Sequence, residues 1–294
     1  MTGASEGVIT GSTQLTAIFG DPVEHSLSPA MHNAAYAALG LKRAYVPFHV
    51  RPDQLRAALR SLVALGICGV NVTIPHKERA VGMVDSLSAE ASLLRAVNCV
   101  VNRRGKLFGD NTDARGLEHD LGELGAKLRS ESALIIGAGG AAAAAVLACL
   151  RLRVARIVVA NRTASRARAL VRRFTSLTRS SKVRFEARGL VALEDRALFA
   201  DVAIVLNATP MGLRGSRFAP LHYDATRTEC FFYDLLYAAG PTAFLTPAIA
   251  LGRPYADGAG MLVAQGELAF RLFNQVAPPA GVMRQALDRA LGRA

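Results

Sequence analysis

The 294 residues contain no tryptophan, and tyrosine and phenylalanine bring the aromatic share to only 6%. A single-stranded nucleic-acid platform needs stacking rings along a basic groove, so the chain is poorly equipped for that work. Acidic residues are also few, 23 against 35 basic ones, for a formal net charge of +12. The basic residues are scattered, without the long like-charged block of a polybasic arm. An anionic small molecule fits that balance as well as a nucleic acid does, and no nucleic-acid partner is expected. Cysteine is scarce. Cys68, Cys99, Cys149 and Cys230 lie far apart with no C-x-x-C pair, which argues against a disulfide framework or a zinc site. They read as free thiols in a reducing compartment, the cytoplasm. The chain also lacks an apolar run of membrane length, because the most apolar stretch, 134–150, opens on glycines and continues as an alanine-rich helix. The first residues, MTGASEGVITGSTQ, have neither the basic start nor the apolar core of a secretory signal and read as a short frayed arm. Lysine is the scarcest charge of all, occurring only at 42, 77, 106, 127 and 182.

Apolar residues make up 51% of the chain, enough for a sizeable core in one large or two modest domains. Strand and helix signals alternate through the first half, which predicts an α/β fold. Leu15–Phe19 reads as a strand, followed by a loop and a helix Ala30–Leu39 with Ser28 as N-cap and Pro29 at N1. Capping alone accounts for Ser28. Ser26 is left over, and a helix start flanked by two hydroxyls is also a good seat for a carboxylate. Ala44–Val50 reads as a strand and Pro52–Leu65 as a helix. Ile67–Ile74 is an apolar, β-branched run that contains Asn71 and Thr73 and is followed by Lys77. Polar groups in such a run need a partner, and a ligand is one. Lys77 is either a solvated strand end or an amine chosen because it can release a proton. A helix Glu78–Val84, a strand Ala96–Val101 carrying Asn98, and a hairpin turn at 103–106 follow. Asp113 precedes a helix, Ala114–Leu124, and has an N-cap explanation of its own. If the strands before Lys77 and Asp113 run parallel, both residues reach the sheet edge where open α/β sheets bind ligands, and a carboxylate there would hold the ammonium.

The second half opens with a strand, Ser132–Ile136, then Gly137-Ala138-Gly139-Gly140-Ala141-Ala142, then an alanine-rich helix. This is G-x-G-x-x-A in the strand-to-helix setting of a dinucleotide fold. Gly137 suits the tight turn, Gly139 the approach of pyrophosphate, and Ala142 helix–sheet contact. The next strand, Arg156–Ala160, ends in Asn161-Arg162-Thr163 with Arg166 nearby. NAD sites place an acidic residue here for the ribose hydroxyls. Positive charge with a hydroxyl suits a 2′-phosphate instead, so NADP is the expected cofactor. Residues 164–182 read as an arginine-rich helical face without an assigned role. Strands at Asp201–Leu206 and Cys230–Tyr233 end at Thr209–Met211 and Tyr237, placed to line the cofactor crevice. Asp257–Gly260 opens a helix Met261–Asn274 carrying Gln265, a buried amide that needs partners. Val282–Leu291 reads as a final amphipathic helix.

Several of these stretches together resemble the NADP-dependent shikimate dehydrogenase family, from about residue 16 to 274. They are GDPVEHSLSPAMHN at 20–33, GVNVTIPHK at 69–77, AVNCV at 96–100, GDNTDARG at 109–116, GAGGAA at 137–142, NRTASRA at 161–167, NATPMG at 207–212 and DGAGMLVAQGELAF at 257–270. The resemblance implies a biosynthetic oxidoreductase of the aromatic amino acid precursor route that reduces 3-dehydroshikimate to shikimate, as a monomer or homodimer. It implies two α/β domains, a substrate domain at 1–112 rejoined by C-terminal helices at 258–294, and a Rossmann NADP domain at 113–257. Lys77 and Asp113 would be the catalytic pair. Ser26 and Ser28 would hold the substrate carboxylate, and Asn71, Asn98, Asp113 and Gln265 its hydroxyls, with Thr73 and Tyr237 in the same pocket. Gly137, Ala138, Gly139, Gly140 and Ala141 would meet pyrophosphate. Asn161, Arg162, Thr163 and Arg166 would meet the 2′-phosphate, and Thr209, Met211, Gly258 and Met261 the rest of the cofactor; no metal is implied. Cys99 stands where the family usually has threonine, which weakens a hydroxyl contact. A quinate/shikimate dehydrogenase of relaxed choice is the alternative, and a non-catalytic sensor on the same fold a lesser one. The serine pair and the basic ribose site favour shikimate and NADP.

Overall fold

The computed structural model describes residues 9–176, 178, 183–212 and 218–293. Most of the N-terminal arm, Lys182 and the end of the arginine-rich stretch therefore lie outside the described residues. The chain forms two compact units, Met1–Gly116 with Leu262–Ala294, and Leu117–Met261.

The first unit begins with β1 (Gln14–Gly20), α1 (Ser28–Ala38), β2 (Arg43–His49), α2 (Leu55–Ala64) and β3 (Gly69–Val72). It continues through α3 (Lys77–Ala80), a 3₁₀ turn at Val81–Met83, β4 (Ser86–Leu87), α4 (Ala89–Leu94), β5 (Cys99–Arg103), β6 (Lys106–Asp110) and the start of α5 (Asp113–Glu123). The sheet order is β2-β1-β3-β5-β6-β4. β1, β2 and β3 are parallel, while β5 is antiparallel to both β3 and β6. β3 and β6 therefore run the same way, and their C-terminal ends share one sheet edge. The core beneath includes Leu55, Leu59 and Leu62 of α2, spaced as one helical face, against Val70, Val72 and Val100. At the β5–β6 hairpin Arg104 and Gly105 have φ of 52° and 85°, the positive pair that a tight two-residue turn requires.

Several boundaries differ from expectation. Helix α2 starts at Leu55 rather than Pro52. The buried strand is only Gly69–Val72, and the next begins at Cys99, which leaves Ala96–Asn98 irregular. There the Asn98 carbonyl accepts from Val72 N at 2.8 Å, closing the ladder without a regular strand. Ser28 is not the N-cap of α1. That position is Leu27, without side-chain capping, and Ser28 is the first helical residue with its side chain buried.

The second unit holds β7 (Ser132–Ile136), α6 (Gly140–Arg151), β8 (Arg156–Asn161), α7 (Ala164–Thr175), β9 (Arg184–Gly189), β10 (Val202–Asn207), β11 (Phe231–Asp234), α8 (Thr246–Ala250) and β12 (Tyr255–Ala256). The sheet order is β12-β11-β10-β7-β8-β9, and every pairing is parallel. Counted from β7 this is 3-2-1-4-5-6, the doubly wound dinucleotide topology, with its order reversing between β7 and β10. Strand β9 had no sequence expectation. Its residues, RFEARG, alternate charged with apolar side chains on an edge strand, a short period-two signal beside the arginine-rich stretch. Helix α9 (Ala259–Asn274) begins in this unit and ends in the first, and α10 (Val282–Leu291) closes the chain. In the first unit a side chain at Gly69 would run into the Phe273 ring, so β3 and the end of α9 meet at a glycine.

Candidate active site

Strand β3 delivers the chain to Thr73 and then to α3, whose first residue is Lys77. Strand β6 delivers it to Asp113, the first residue of α5. Because both strands end at one edge, the two side chains meet, with Lys77 Nζ 2.7 Å from Asp113 Oδ2. The carboxylate does not act as a cap. Its other oxygen accepts from Asn98 Nδ2 at 2.7 Å, and Asn111 Oδ1 accepts from the Asp113 amide at 2.9 Å. Asp113 is 3% exposed and the Lys77 side chain 23%, so the amine is the half of the pair that faces outward. Lys77 is also fixed through its carbonyl, which accepts from Val97 N at 2.8 Å.

Asn98 lies at the centre of a polar cluster. Its amide nitrogen also lies 2.9 Å from Thr112 Oγ1 and 3.4 Å from Gln265 Oε1, and its oxygen accepts from Thr112 N at 2.9 Å. Gln265 itself donates to Leu262 O at 2.8 Å. α9 can bring Gln265 this close because Gly116 of α5 faces it: a Cβ there would lie 2.8 Å from Gln265 Cβ. Asn71, buried on β3, donates to Asn98 O at 3.1 Å and accepts from Tyr45 Oη at 2.8 Å. At the start of α1 the Ser26 hydroxyl accepts from Ser28 N at 3.4 Å. Thr73, half-buried, packs its methyl over Gly20. Burial pushes the Cys99 thiol well above its ordinary value, so it is a neutral group under the site. Behind the pair, Asp110 accepts from Ser88 Oγ at 2.5 Å and from Arg115 at 2.7 Å, which steadies the turn into Asp113. Sequence reasoning missed Tyr45, Thr112 and Asp110. An inward tyrosine whose hydroxyl must find a partner was the available signal for the first.

In the second unit Gly137 has φ +124°, and a Cβ there would lie 2.8 Å from the Ala208 carbonyl, so the tight turn at the β7–β10 switch needs glycine. Gly139 differs. A Cβ there meets nothing within 4 Å, and it caps the twelve-residue α6 without any side-chain bond. The first N–H groups of α6, from Gly140 and Ala141 onward, are uncapped by any side chain, a helix start of the kind that can hold an anion. At the end of β8, Arg162, Thr163 and Arg166 are exposed around the start of α7, which also lacks a side-chain cap. Asn161 steadies that turn by donating to Thr163 O at 3.0 Å. The stretch Asn161–Arg166 contains no acidic residue, and its donor set suits a 2′-phosphate rather than bare ribose hydroxyls. Thr209 is fixed by Asn207, whose oxygen accepts from its N at 3.0 Å and its hydroxyl at 2.7 Å, while Met211 N donates to Thr209 Oγ1 at 3.2 Å. Asn207 in turn donates to Asp234 Oδ1 at 2.9 Å, and burial raises that carboxyl to about 6. Gly258 packs so close to the Leu235 carbonyl that no Cβ fits, and Met261 is buried. Tyr237 is half-buried beyond β11, its phenol pushed up by burial.

A doubly wound dinucleotide fold and a carboxylate-held lysine, on one chain, define a pyridine-nucleotide oxidoreductase that acts on a carbonyl or alcohol. Three family models match the chain: 18–100 the shikimate dehydrogenase substrate binding domain, 120–213 the shikimate / quinate 5-dehydrogenase model, and 258–287 the shikimate 5′-dehydrogenase C-terminal domain. A shikimate dehydrogenase (NADP(+)) of Geobacter sp. (strain M21) is 42% identical over 284 residues, 96% of this chain and 97% of that one. Among solved structures, the shikimate 5-dehydrogenase of Thermus thermophilus in complex with NADP(H) and shikimate is 36% identical with a TM-score of 0.83, covering 95% of this chain and 100% of that one. A shikimate dehydrogenase in complex with NADP+ is 33% identical with a TM-score of 0.85, covering 97% and 98%. The chain belongs to the shikimate dehydrogenase family. Its N-terminal domain is of the substrate-binding type and its second domain is a Rossmann domain of the NADP-binding type.

Proposed function

We propose that the protein catalyses the reversible NADPH-dependent reduction of 3-dehydroshikimate to shikimate. The observation that carries the reading is the 2.7 Å Lys77–Asp113 pair at a shared strand edge, with Asn98 on the second carboxylate oxygen. NADPH, when bound, supplies the hydride. Lys77 gives a proton to the oxygen that becomes the substrate hydroxyl and takes it back in the reverse direction. Asp113 orients the amine and accepts from a neighbouring substrate hydroxyl. Asn71, Asn98 and Gln265 bind the remaining hydroxyls, with Thr73 and Tyr237 completing the pocket. Ser26 and Ser28 hold the carboxylate at the start of α1, where the positive end of the helix dipole favours an anion. Gly137–Ala141 receive the pyrophosphate, Asn161, Arg162, Thr163 and Arg166 the 2′-phosphate, and Thr209, Met211, Gly258 and Met261 the nicotinamide half. The substrate side is formed by 1–112 with the C-terminal helices, and the cofactor side by 113–257. All four cysteines are free, and among the described residues no helix is long and apolar enough to cross a membrane. Both facts support a cytoplasmic enzyme.

Steady-state assays of shikimate and quinate, each with NADP and with NAD, test the reading. Shikimate with NADP should exceed the other three combinations in kcat/KM by at least about tenfold. Comparable quinate turnover would make it a quinate/shikimate enzyme of relaxed choice, and no turnover with any pair would leave only a ligand sensor.

A further inference from the structure

Tyr45, on β2, is 1% exposed, and its phenol reaches one of the side chains to which the proposed reaction gives substrate contacts. It donates to Asn71 Oδ1 at 2.8 Å. The residue has little freedom. Its ring stacks on His32 with centroids 4.2 Å apart and planes 20° from parallel. Its backbone is held in both directions by Asn33, which accepts from Tyr45 N at 2.8 Å and donates to Tyr45 O at 2.9 Å. His32 is itself 1% exposed and tilted against Phe270 and Phe273, so the stacked face is backed by the aromatic end of α9. A ring fixed at its backbone and on its face holds its hydroxyl in one place.

We propose that Tyr45 is a positioning residue that sets substrate choice, because its phenol fixes which way round the amide of Asn71 meets the substrate. The proposal rests on the reading of Asn71 as a substrate contact. The Asn71 oxygen accepts from Tyr45, and one of its two N–H hydrogens goes to Asn98 O at 3.1 Å. A flip of the amide would set a donor against the phenol hydrogen and an acceptor against a carbonyl. The remaining N–H is thereby locked as a donor, and the substrate atom opposite it must accept. A ring acid with a hydroxyl at the matching carbon satisfies that donor; one without that hydroxyl, or with it displaced, leaves a buried donor unpaired.

The test is Tyr45→Phe, which removes one oxygen and keeps the ring and its stack. The KM for shikimate should rise about tenfold or more, with kcat changed less than about threefold and the KM for NADP unmoved. A residue needed only for folding would lower kcat through the active fraction and leave KM alone. One cycle completes the test. Adding Tyr45→Phe to Asn71→Ala should raise KM little beyond the single alanine variant, because Tyr45 acts through that side chain. If Asn71→Ala raises KM but Tyr45→Phe does not, or if the two effects multiply in full, the proposal is overturned while the substrate reading stands. If Asn71→Ala does not move the KM, the substrate reading of that residue fails, and the proposal with it.

Discussion

At the ends of β3 and β6 the first unit presents side chains: an amine, a carboxylate and three amides within hydrogen-bond reach of one another. At the end of β7 the second unit presents backbone, a glycine turn and an uncapped helix start. Their sheets match that division. The mixed sheet, with β5 reversed between β3 and β6, brings two separate strand ends to one edge with a third strand between them. That spacing suits a set of long polar side chains reaching toward a common point. The all-parallel sheet instead splits its connections at one switch point and opens a crevice where backbone can touch a phosphate chain. Substrate chemistry needs chosen functional groups, whereas a pyrophosphate needs N–H groups and room. Substitutions should therefore act by different routes in the two units, through removed atoms in the first and through added atoms in the second.

The largest effect is expected at Lys77. Lys77→Ala removes the proposed proton donor and nothing from the second unit, so kcat should fall about 10²–10⁴-fold while NADPH affinity, read by nucleotide fluorescence, stays within about twofold. Unchanged turnover would take Lys77 out of the chemistry, and a parallel loss of NADPH binding would undo the division between the units.

Next come the two glycines, which differ from each other. Gly139→Val adds atoms where a Cβ meets nothing and where φ is an ordinary −96°. It should leave the melting temperature nearly unchanged and raise the KM for NADP about 10–100-fold, by occupying the pyrophosphate seat. Gly137→Ala should instead destabilise the fold by about 1–3 kcal/mol, because it forces an alanine to φ +124° with its Cβ against Ala208 O. Equal behaviour of the two variants, in melting or in KM, would refute the distinction. A smaller effect is expected at Arg162. Arg162→Ala should weaken NADP about tenfold and NAD hardly at all, narrowing the preference between them; an equal loss for both cofactors would remove the 2′-phosphate from its role.

The same contrast explains which features could be read from the sequence. Strands β1, β7, β8, β10 and β11 were visible because each is a compact apolar run ended by a turn signal. Gly137 and Gly139 were visible because a backbone site writes itself as glycine spacing. Lys77 and Asp113 were visible only as candidates. Each had a local explanation, and the reversed β5 that brings their strand ends together leaves no mark in either segment. Ser28 was read as a cap because Ser-Pro is a common helix start, whereas it is the first helical residue and its side chain is buried. Tyr45 itself sat in an ordinary strand pattern. Its importance comes from a partner at 71, which sequence spacing does not reveal. Strand β9 was missed although Phe185 and Ala187 alternate with Arg184, Glu186 and Arg188; the run is short and follows the arginine-rich stretch, and its charges are paired, Glu186 with Arg156 and Arg188.

The smallest expected effect sharpens the comparison, because it concerns side chains in the unit whose site is mostly backbone. Asp234 is 0% exposed and accepts from Asn207 Nδ2 at 2.9 Å, Leu236 N at 3.1 Å and Thr242 Oγ1 at 2.6 Å. It thereby ties the loop after β10 to the loop after β11. Burial outweighs these donors and raises the carboxyl to about 6. The folded protein thus holds this proton more tightly than the unfolded chain. The resulting stabilisation is complete below the ordinary carboxylate value near ~3.9 and is lost as the pH rises through about 6. Asp234→Asn has no such linkage. The stability of the native protein relative to this variant should therefore grow as the pH falls from about 7 to about 4, by at most about 3 kcal/mol. His32, held down to about 3 by burial, works the other way, losing stability as the pH falls, but it is present in both proteins and cancels in the difference. Urea unfolding of both at several pH values across that window measures the gap. A gap that widens toward acid identifies Asp234 as a charge buried to hold two loops together. A gap independent of pH would mean that its proton is held equally by the folded and unfolded chains, and burial would then not be what sets this carboxyl.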